Sequence, residues 1–232
     1  MSPFHILPTA DNGFIFTCFE DHVNGQPGTE DFQTAIIKTD SQGNLEWRHT
    51  WGGDSTKNIG SWVVPLNDGN YLYAWTDCYY SGYLGQHNNL GTIRFAKFNI
   101  NGNIIWHKNM LNYIPHGRSY EISQMEIMPD GNIAIVGING IEGLLLKIDQ
   151  GANYLWHREL MPPNLSLEEN TASYQYMKIM GVTFTSDGGF ALAGEYFSAP
   201  GGDIFPDGFQ SAYIYKLDEH GCYEPNCDVG VE

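Results

Sequence analysis

Lys38-Thr39-Asp40-Ser41-Gln42-Gly43-Asn44-Leu45-Glu46-Trp47 is a pattern that recurs along the chain, and its recurrence indicates the architecture. The copies are 97–106, 147–156 and a shortened version at 216–221. In the first three copies Trp follows Lys by nine residues. An internal repeat of this kind is typical of folds built from one repeated supersecondary unit.

A tight-turn signal lies upstream of each copy. Asp is followed by Gly, either directly or after one intervening residue, and the pair lies between apolar segments. This combination favours a β-hairpin because Gly and Asn tolerate positive φ. The four turns begin at Asp11, Asp68, Asp130 and Asp187, spaced by 57, 62 and 57 residues. Four units of this length account for nearly the whole chain.

Each unit reads as four short strands. An apolar strand precedes the Asp-Gly turn, a second follows it, a third ends at the repeated Lys, and a fourth carries the Trp. Four antiparallel strands per repeat are typical of a propeller blade. We predict an all-β, β-propeller-like fold of four blades in one domain, 1–232, as a complete ring or as part of a larger propeller. The repeats span about 1–53, 54–112, 113–161 and 162–232.

Composition restricts the partners. The 232 residues are 42% hydrophobic and 14% aromatic, and the net charge is −16. This charge argues against nucleic acid and against an anionic membrane surface, since both attract Lys and Arg. No apolar run approaches the roughly 18 residues of a membrane helix. The start, Met1-Ser2-Pro3-Phe4, lacks a signal-peptide pattern, so either the protein is cytoplasmic or the chain is a piece of a longer protein, and we expect the latter.

The connection between strands two and three varies most in length from unit to unit. Length variation at one position of a repeat maps to one face of the molecule, which is often the binding face. In the second unit this connection is rich in Tyr and amides, which suit a glycan or protein contact surface. The candidate ligand-binding residues are Tyr79, Tyr80, Tyr83, His87 and Asn88. A solvated loop is the alternative.

The repeated Trp and Lys are interpreted as structural. Trp47, Trp106 and Trp156 are expected to pack between neighbouring blades, with a sugar-stacking platform as the alternative. Lys38, Lys97, Lys147 and Lys216 are each followed two positions later by Asp or Asn. We expect that side chain to cap the turn, and Lys to pair with it or with a neighbouring Asp.

The turn of the third copy departs from the others. Ala152 takes the position of Gly43 and Gly102, while Gly151 comes one residue early. Since Ala disfavours positive φ, this sequence predicts a turn of different geometry.

Metal ligands and disulfides give weaker signals. The spacing of Cys222 and Cys227 permits a small disulfide loop, with two free thiols as the alternative. His107 and His157 share the position after Trp and are expected to face solvent. No metal site or cofactor is predicted. Calcium is the alternative, through oxygen ligands in loops that match no regular calcium motif: Asp21, Asn24, Glu30, Asp31, Asp203 and Asp207.

The segments 187–194 and 212–218 resemble the roughly 60-residue propeller-type repeats of bacterial secreted proteins, the delta-60 class. The resemblance covers essentially the whole chain. The C-terminal segment 216–227 looks like the end of the repeat region in Bacteroidetes surface proteins, where a type IX secretion sorting domain commonly follows. The resemblance implies export to the cell surface or the medium, and it supplies no catalytic residues.

These observations predict a non-catalytic, secreted or cell-surface scaffold for binding or adhesion, with a glycan or protein as its ligand. The alternative is an extracellular polysaccharide-active enzyme. Such an enzyme would need two carboxylates, or a carboxylate with His or Tyr, converging at one mouth of the propeller. A third reading is a purely architectural repeat that spaces a neighbouring domain.

Overall fold

The structure, a computed structural model, describes residues 2–21, 32–52, 56–79, 90–110, 120–161, 174–199 and 209–223. All the elements in these ranges are strands: β1 (Ser2–Pro8), β2 (Phe14–Asp21), β3 (Phe32–Thr39), β4 (Leu45–Trp51), β5 (Thr56–Pro65), β6 (Tyr71–Tyr79), β7 (Leu90–Phe98), β8 (Ile104–Asn109), β9 (Tyr120–Ile127), β10 (Ile133–Asn139), β11 (Glu142–Ile148), β12 (Tyr154–Leu160), β13 (Tyr174–Phe184), β14 (Phe190–Ala199) and β15 (Phe209–Leu217). Within these ranges no helix is long and apolar enough to cross a membrane.

The strands form four antiparallel sheets, one per repeat. The first three are β1–β4, β5–β8 and β9–β12, and β13–β15 form the described part of the fourth. A single parallel bridge between Phe32 and Lys57 joins the first sheet to the second. Consecutive sheets pack face to face, which confirms the predicted four-bladed β-propeller.

The repeated turns share one geometry. Asp40 Oδ1 accepts hydrogen bonds from the backbone N–H groups of Gln42 and Asn44, both at 2.8 Å. Asn99, Asp149 and Asp218 cap the equivalent turns in the same way.

The prediction of a different turn in the third repeat is wrong. Ala152 adopts a positive φ of 54°, close to the 85° of Gly43 and the 80° of Gly102. Its N–H bonds to Asp149 O at 3.0 Å, as the N–H of Gly102 bonds to Asn99 O at 2.9 Å. Side-chain capping by Asp149 and the packing of buried Ala152 hold the turn in the common geometry despite the strain of a Cβ at positive φ.

The core lies between the sheets and is extended by the repeated Trp residues. Trp47 Nε1 donates a hydrogen bond of 2.8 Å to Ile100 O of the second sheet, and the ring lies edge-on to Phe98 at 5.4 Å. Trp156 contacts Phe190 of the fourth sheet in the same edge-on manner, at 5.8 Å. Trp106 packs against the apolar cluster between the second and third sheets.

Each repeated Lys pairs with the Asp of its own strand-one-to-two turn. The nitrogen–oxygen distances are 2.9, 2.5, 3.0 and 2.8 Å for Lys38–Asp11, Lys97–Asp68, Lys147–Asp130 and Lys216–Asp187. The pair ties the end of strand three to the turn between strands one and two, so it fixes the register of three strands in every sheet.

These pairs predict loss of stability in acid. Hydrogen bonds from Thr9 and Lys38 lower the pKa of Asp11 to about 2, and a hydrogen bond from Lys97 lowers the pKa of Asp68 to about 2. Because both values lie below the ordinary 3.8, the unfolded chain binds protons first as the pH falls. The stabilisation is therefore complete above that ordinary value and is lost as the pH falls through the folded-state pKa.

The measurement is the free energy of unfolding by urea at a series of pH values. We expect a plateau near neutral pH and a fall that continues between about pH 4 and pH 2. Asp11→Asn should flatten this fall, whereas Ser186→Ala, at an exposed turn position, should leave it unchanged. A wild-type curve that is flat over this interval would contradict the role given to the pairs.

Candidate binding cleft

The residues predicted to bind a ligand fall largely outside the described ranges. Tyr80, Tyr83, His87 and Asn88 lie there entirely, and Tyr79 ends β6 with its backbone alone described. The acidic residues considered for calcium also fall there, apart from the backbone of Asp21 at the end of β2. Among the described residues, no group of three His, Cys, Asp or Glu side chains could hold a metal ion.

A cleft of about 410 Å³ opens at the base of this Tyr-rich connection, between the first and second sheets. Its described lining comes from the last residues of β4 and β8, and from β6 and β7 near the connection that joins them. The lining residues are Trp51, Gly52, Trp75, Asp77, Arg94, His107, Lys108 and Asn109. The volume falls in the range of about 300–1,000 Å³ typical of ligand pockets.

Two tryptophans form the apolar wall. Trp51, at the end of β4, stacks on Trp75 of β6 with ring centroids 4.9 Å apart. Tyr73 lies against both rings, at 5.2 Å from each. Trp75 is buried and holds the stack in place, while Trp51 is half-buried and contributes to the surface of the cleft.

An ion pair on the second sheet supplies charged groups to the lining of the cleft. Arg94 Nε donates to Asp77 Oδ2 at 2.5 Å, and both side chains are largely buried. The carboxylate holds the guanidinium at the wall of the cleft. Since a guanidinium carries N–H donors and no acceptor, the group suits recognition of a hydroxyl or carboxylate oxygen.

His107 and Lys108 complete the described lining. The His107 ring meets Trp51 edge-on at 6.0 Å. Partial desolvation lowers the pKa of His107, and the nearby His49 and Arg94 lower it further. Lys108 Nζ is held by Gly151 O at 2.5 Å and Asn153 Oδ1 at 2.9 Å in the third sheet.

The cleft was not predicted from the sequence, although the repeat contains a signal for it. At the position of Trp51 the next two repeats carry Met110 and Leu160, and at the position of Arg94 the third carries Leu144. Trp75 stands where the other repeats have Cys18, Gly137 and Gly194, and Asp77 where they have Glu20, Asn139 and Tyr196. Four departures from the repeat meet in one place, and an alignment of the repeats would have located them.

The equivalent histidines of the two middle repeats differ in environment. His107 is exposed at the cleft, whereas His157 is half-buried, with Nδ1 3.0 Å from the Tyr154 hydroxyl. Of the cysteines, Cys18 is buried, as is Cys222. Cys227 lies outside the described ranges, so its pairing with Cys222 stays a prediction.

The cleft combines a flat aromatic surface with fixed hydrogen-bonding groups. An aromatic face binds apolar C–H surface, and the guanidinium, imidazole and Asn109 amide provide directional polar contacts. Such an arrangement can bind a small amphipathic ring with many hydroxyl groups.

Comparisons with known proteins place the chain in no family, since no family model and no curated protein matches it. Among solved structures it is similar to MPT-4, a mannose phosphorylase from Leishmania mexicana, in complex with phosphate ion, at 14% identity and a TM-score of 0.48. The match covers 92% of this chain and 66% of that one, so this chain spans just under two thirds of its length. No ligand or activity carries over at this similarity, and the chain is identified by its own strand topology as a four-bladed β-propeller.

Proposed function

We propose that the protein is a non-catalytic, secreted or cell-surface scaffold that binds a glycan in the cleft between its first and second sheets. The observation that carries the proposal is that the half-buried Trp51 ring and the Arg94–Asp77 pair line one cleft. Sugar rings present an apolar C–H face and a rim of hydroxyl groups, and these two surfaces suit the aromatic and the polar residues of the lining.

Binding is favoured over hydrolysis by the charges of the lining. Among its described residues the one carboxylate is Asp77, which is already paired with Arg94. Glycoside hydrolysis uses two carboxyl groups on opposite sides of the scissile bond. The ion pair instead gives a fixed, pre-organised contact surface, which lowers the entropic penalty of binding.

The first test is a glycan array with the purified chain, followed by calorimetric titration of the best ligand. His107→Ala should weaken binding about five- to tenfold, since it removes one neutral hydrogen-bonding group from the cleft. The repeat offers a matched control in His157→Ala, which changes the same repeat position away from the cleft and should bind as wild type does.

Three results would contradict the proposal. One is equal loss of binding in both His variants, which would locate the ligand away from the cleft. Another is cleavage of the bound oligosaccharide, detected by mass spectrometry after prolonged incubation, which would make the protein an enzyme. The third is binding of wild type to no glycan on the array.

A further inference from the structure

The propeller has two end faces that no described sheet covers. Packing joins the first sheet to the second, the second to the third and the third to the fourth, but no extensive packing joins β13–β15 to β1–β4. We call the outward face of the fourth sheet the trailing face, which carries Ala193, Ile214 and Lys216. The outward face of the first sheet is the leading face, which carries Ile6, Phe16 and Ile37.

The trailing face repeats a surface that is buried everywhere else in the molecule. Ile36, Phe95 and Leu145 occupy one position of the first three repeats, and each is 0% exposed because the following sheet covers it. Ile214 holds the same position in the fourth repeat and is 82% exposed. Ala193, which pairs with Ile214 across the strands, is exposed as well.

The leading face shows the converse pattern. Val63, Met125 and Val182 occupy one position of repeats two to four and are 0, 2 and 5% exposed, since the preceding sheet covers them. Ile6 holds that position in the first repeat and is 52% exposed.

The turn glycines show the same contrast. A Cβ on Gly102 would lie 2.8 Å from the Trp47 ring, and one on Gly221 would lie 3.2 Å from the Trp156 ring, because each turn receives the Trp of the preceding sheet. A Cβ on Gly43, at the same position of the first repeat, would have no heavy atom of another part of the chain within 4 Å. The first sheet therefore presents a complete receiving surface for another sheet of the same repeat.

We propose that two copies of this chain associate head to tail, with the trailing face of each packed on the leading face of the other. The two faces are complementary because three internal junctions of the same kind already join such surfaces within one chain. A contact between different faces is heterologous, and two such contacts close a ring. Two four-bladed arcs make eight blades, at the upper end of the usual propeller range of about four to eight.

The junction between copies lacks one feature of the internal junctions. The residue nine positions after Lys216 is Pro225, where the first three repeats carry Trp. The ring therefore forms without a Trp on Gly43 of the partner, and the pair should dissociate on dilution.

The test is sedimentation velocity of the full chain over a range of concentrations. We expect the mass to rise from 26.0 kDa towards twice that value and then to stop rising. Ile214→Asp and Ile6→Asp should each hold the mass at that of one chain, because each places a charge in both junctions. Leu155→Asp, a change at an exposed apolar residue of the third sheet, is the matched control and should associate as wild type does.

Circular dichroism of each variant verifies that it is folded, so that loss of association is not loss of structure. A 26.0 kDa species at every concentration would overturn the proposal. Association of either Asp variant would also overturn the proposal. A contact between two leading faces, or between two trailing faces, would be disrupted by only one of the two substitutions. A mass that climbs without limit would contradict the closed pair.

Discussion

Lys38→Met should destabilise the protein by about 2–3 kcal/mol, because it removes the charge-assisted hydrogen bonds that the buried ammonium makes to two partly exposed carboxylates. The Lys38 side chain is 0% exposed, and its ammonium lies 2.9 Å from Asp11 and 2.6 Å from Glu46. Burial alone would lower the pKa of Lys38, but the hydrogen bonds and charges of Glu46 and Asp11 outweigh it and raise the pKa. Met has an unbranched side chain close in length to the aliphatic part of Lys, so the loss of unfolding free energy measures the contribution of the ammonium charge.

The repeat supplies the control for this variant. Lys216 makes the same ion pair, with Asp187 at 2.8 Å, but its side chain is 50% exposed. Lys216→Met should therefore change stability little, as is typical of exposed pairs. Both variants are unfolded by urea at a concentration where sedimentation shows single chains. Equal losses in the two would contradict the view that burial under the next sheet gives the Lys38 pair its importance.

Trp47→Ala should cost about 3 kcal/mol, since it removes a large ring from a junction between sheets. The variant loses the edge-on contact with Phe98, the hydrogen bond to Ile100 O and the packing over Gly102 together. The first sheet is joined to one neighbour, so a weakened junction should also let it open before the rest of the molecule.

Two further variants separate these contributions. Trp47→Phe keeps most of the ring contact and loses the hydrogen bond, worth about 1 kcal/mol. Leu45→Ala lies on the same strand at an exposed position and should have almost no effect. Thermal melts and hydrogen exchange of β1–β4 measure both effects. A Trp47→Ala protein with the same melting temperature as wild type would contradict a structural role for the repeated Trp.

The fold could be predicted from the sequence because the repeated residues determine the backbone geometry of the turns. The Asp-Gly hairpins and the Asp or Asn caps fix turn geometry locally, and the period of about 60 residues then implies the four sheets. The one error in a turn, at Ala152, arose from the intrinsic preference of Ala, which capping by Asp149 and tertiary packing override.

The cleft was harder to predict because its residues come from two repeats. Trp51 belongs to the first sheet, and Trp75, Asp77 and Arg94 to the second, so no local motif contains them. Each of these residue types is also found in ordinary strands, so none of them indicates a site by itself. Their common feature is a departure from the repeat, and the cleft forms because the sheet junction brings these departures together.

The same comparison of equivalent positions identifies the end faces. Ile214 reads as an ordinary core residue in sequence, since Ile36 at the same position is buried. Only the structure shows that no described sheet follows it. A repeat sequence thus predicts which surfaces match, while the structure shows which of them are still uncovered.

The most direct test of the proposed function is a crystal structure of the chain with the best oligosaccharide from the array. We expect a sugar ring in van der Waals contact with the Trp51 indole, at about 4 Å, and hydrogen-bonded to Arg94 or His107. An oligosaccharide bound elsewhere on the propeller, with the cleft between the first two sheets empty, would contradict it.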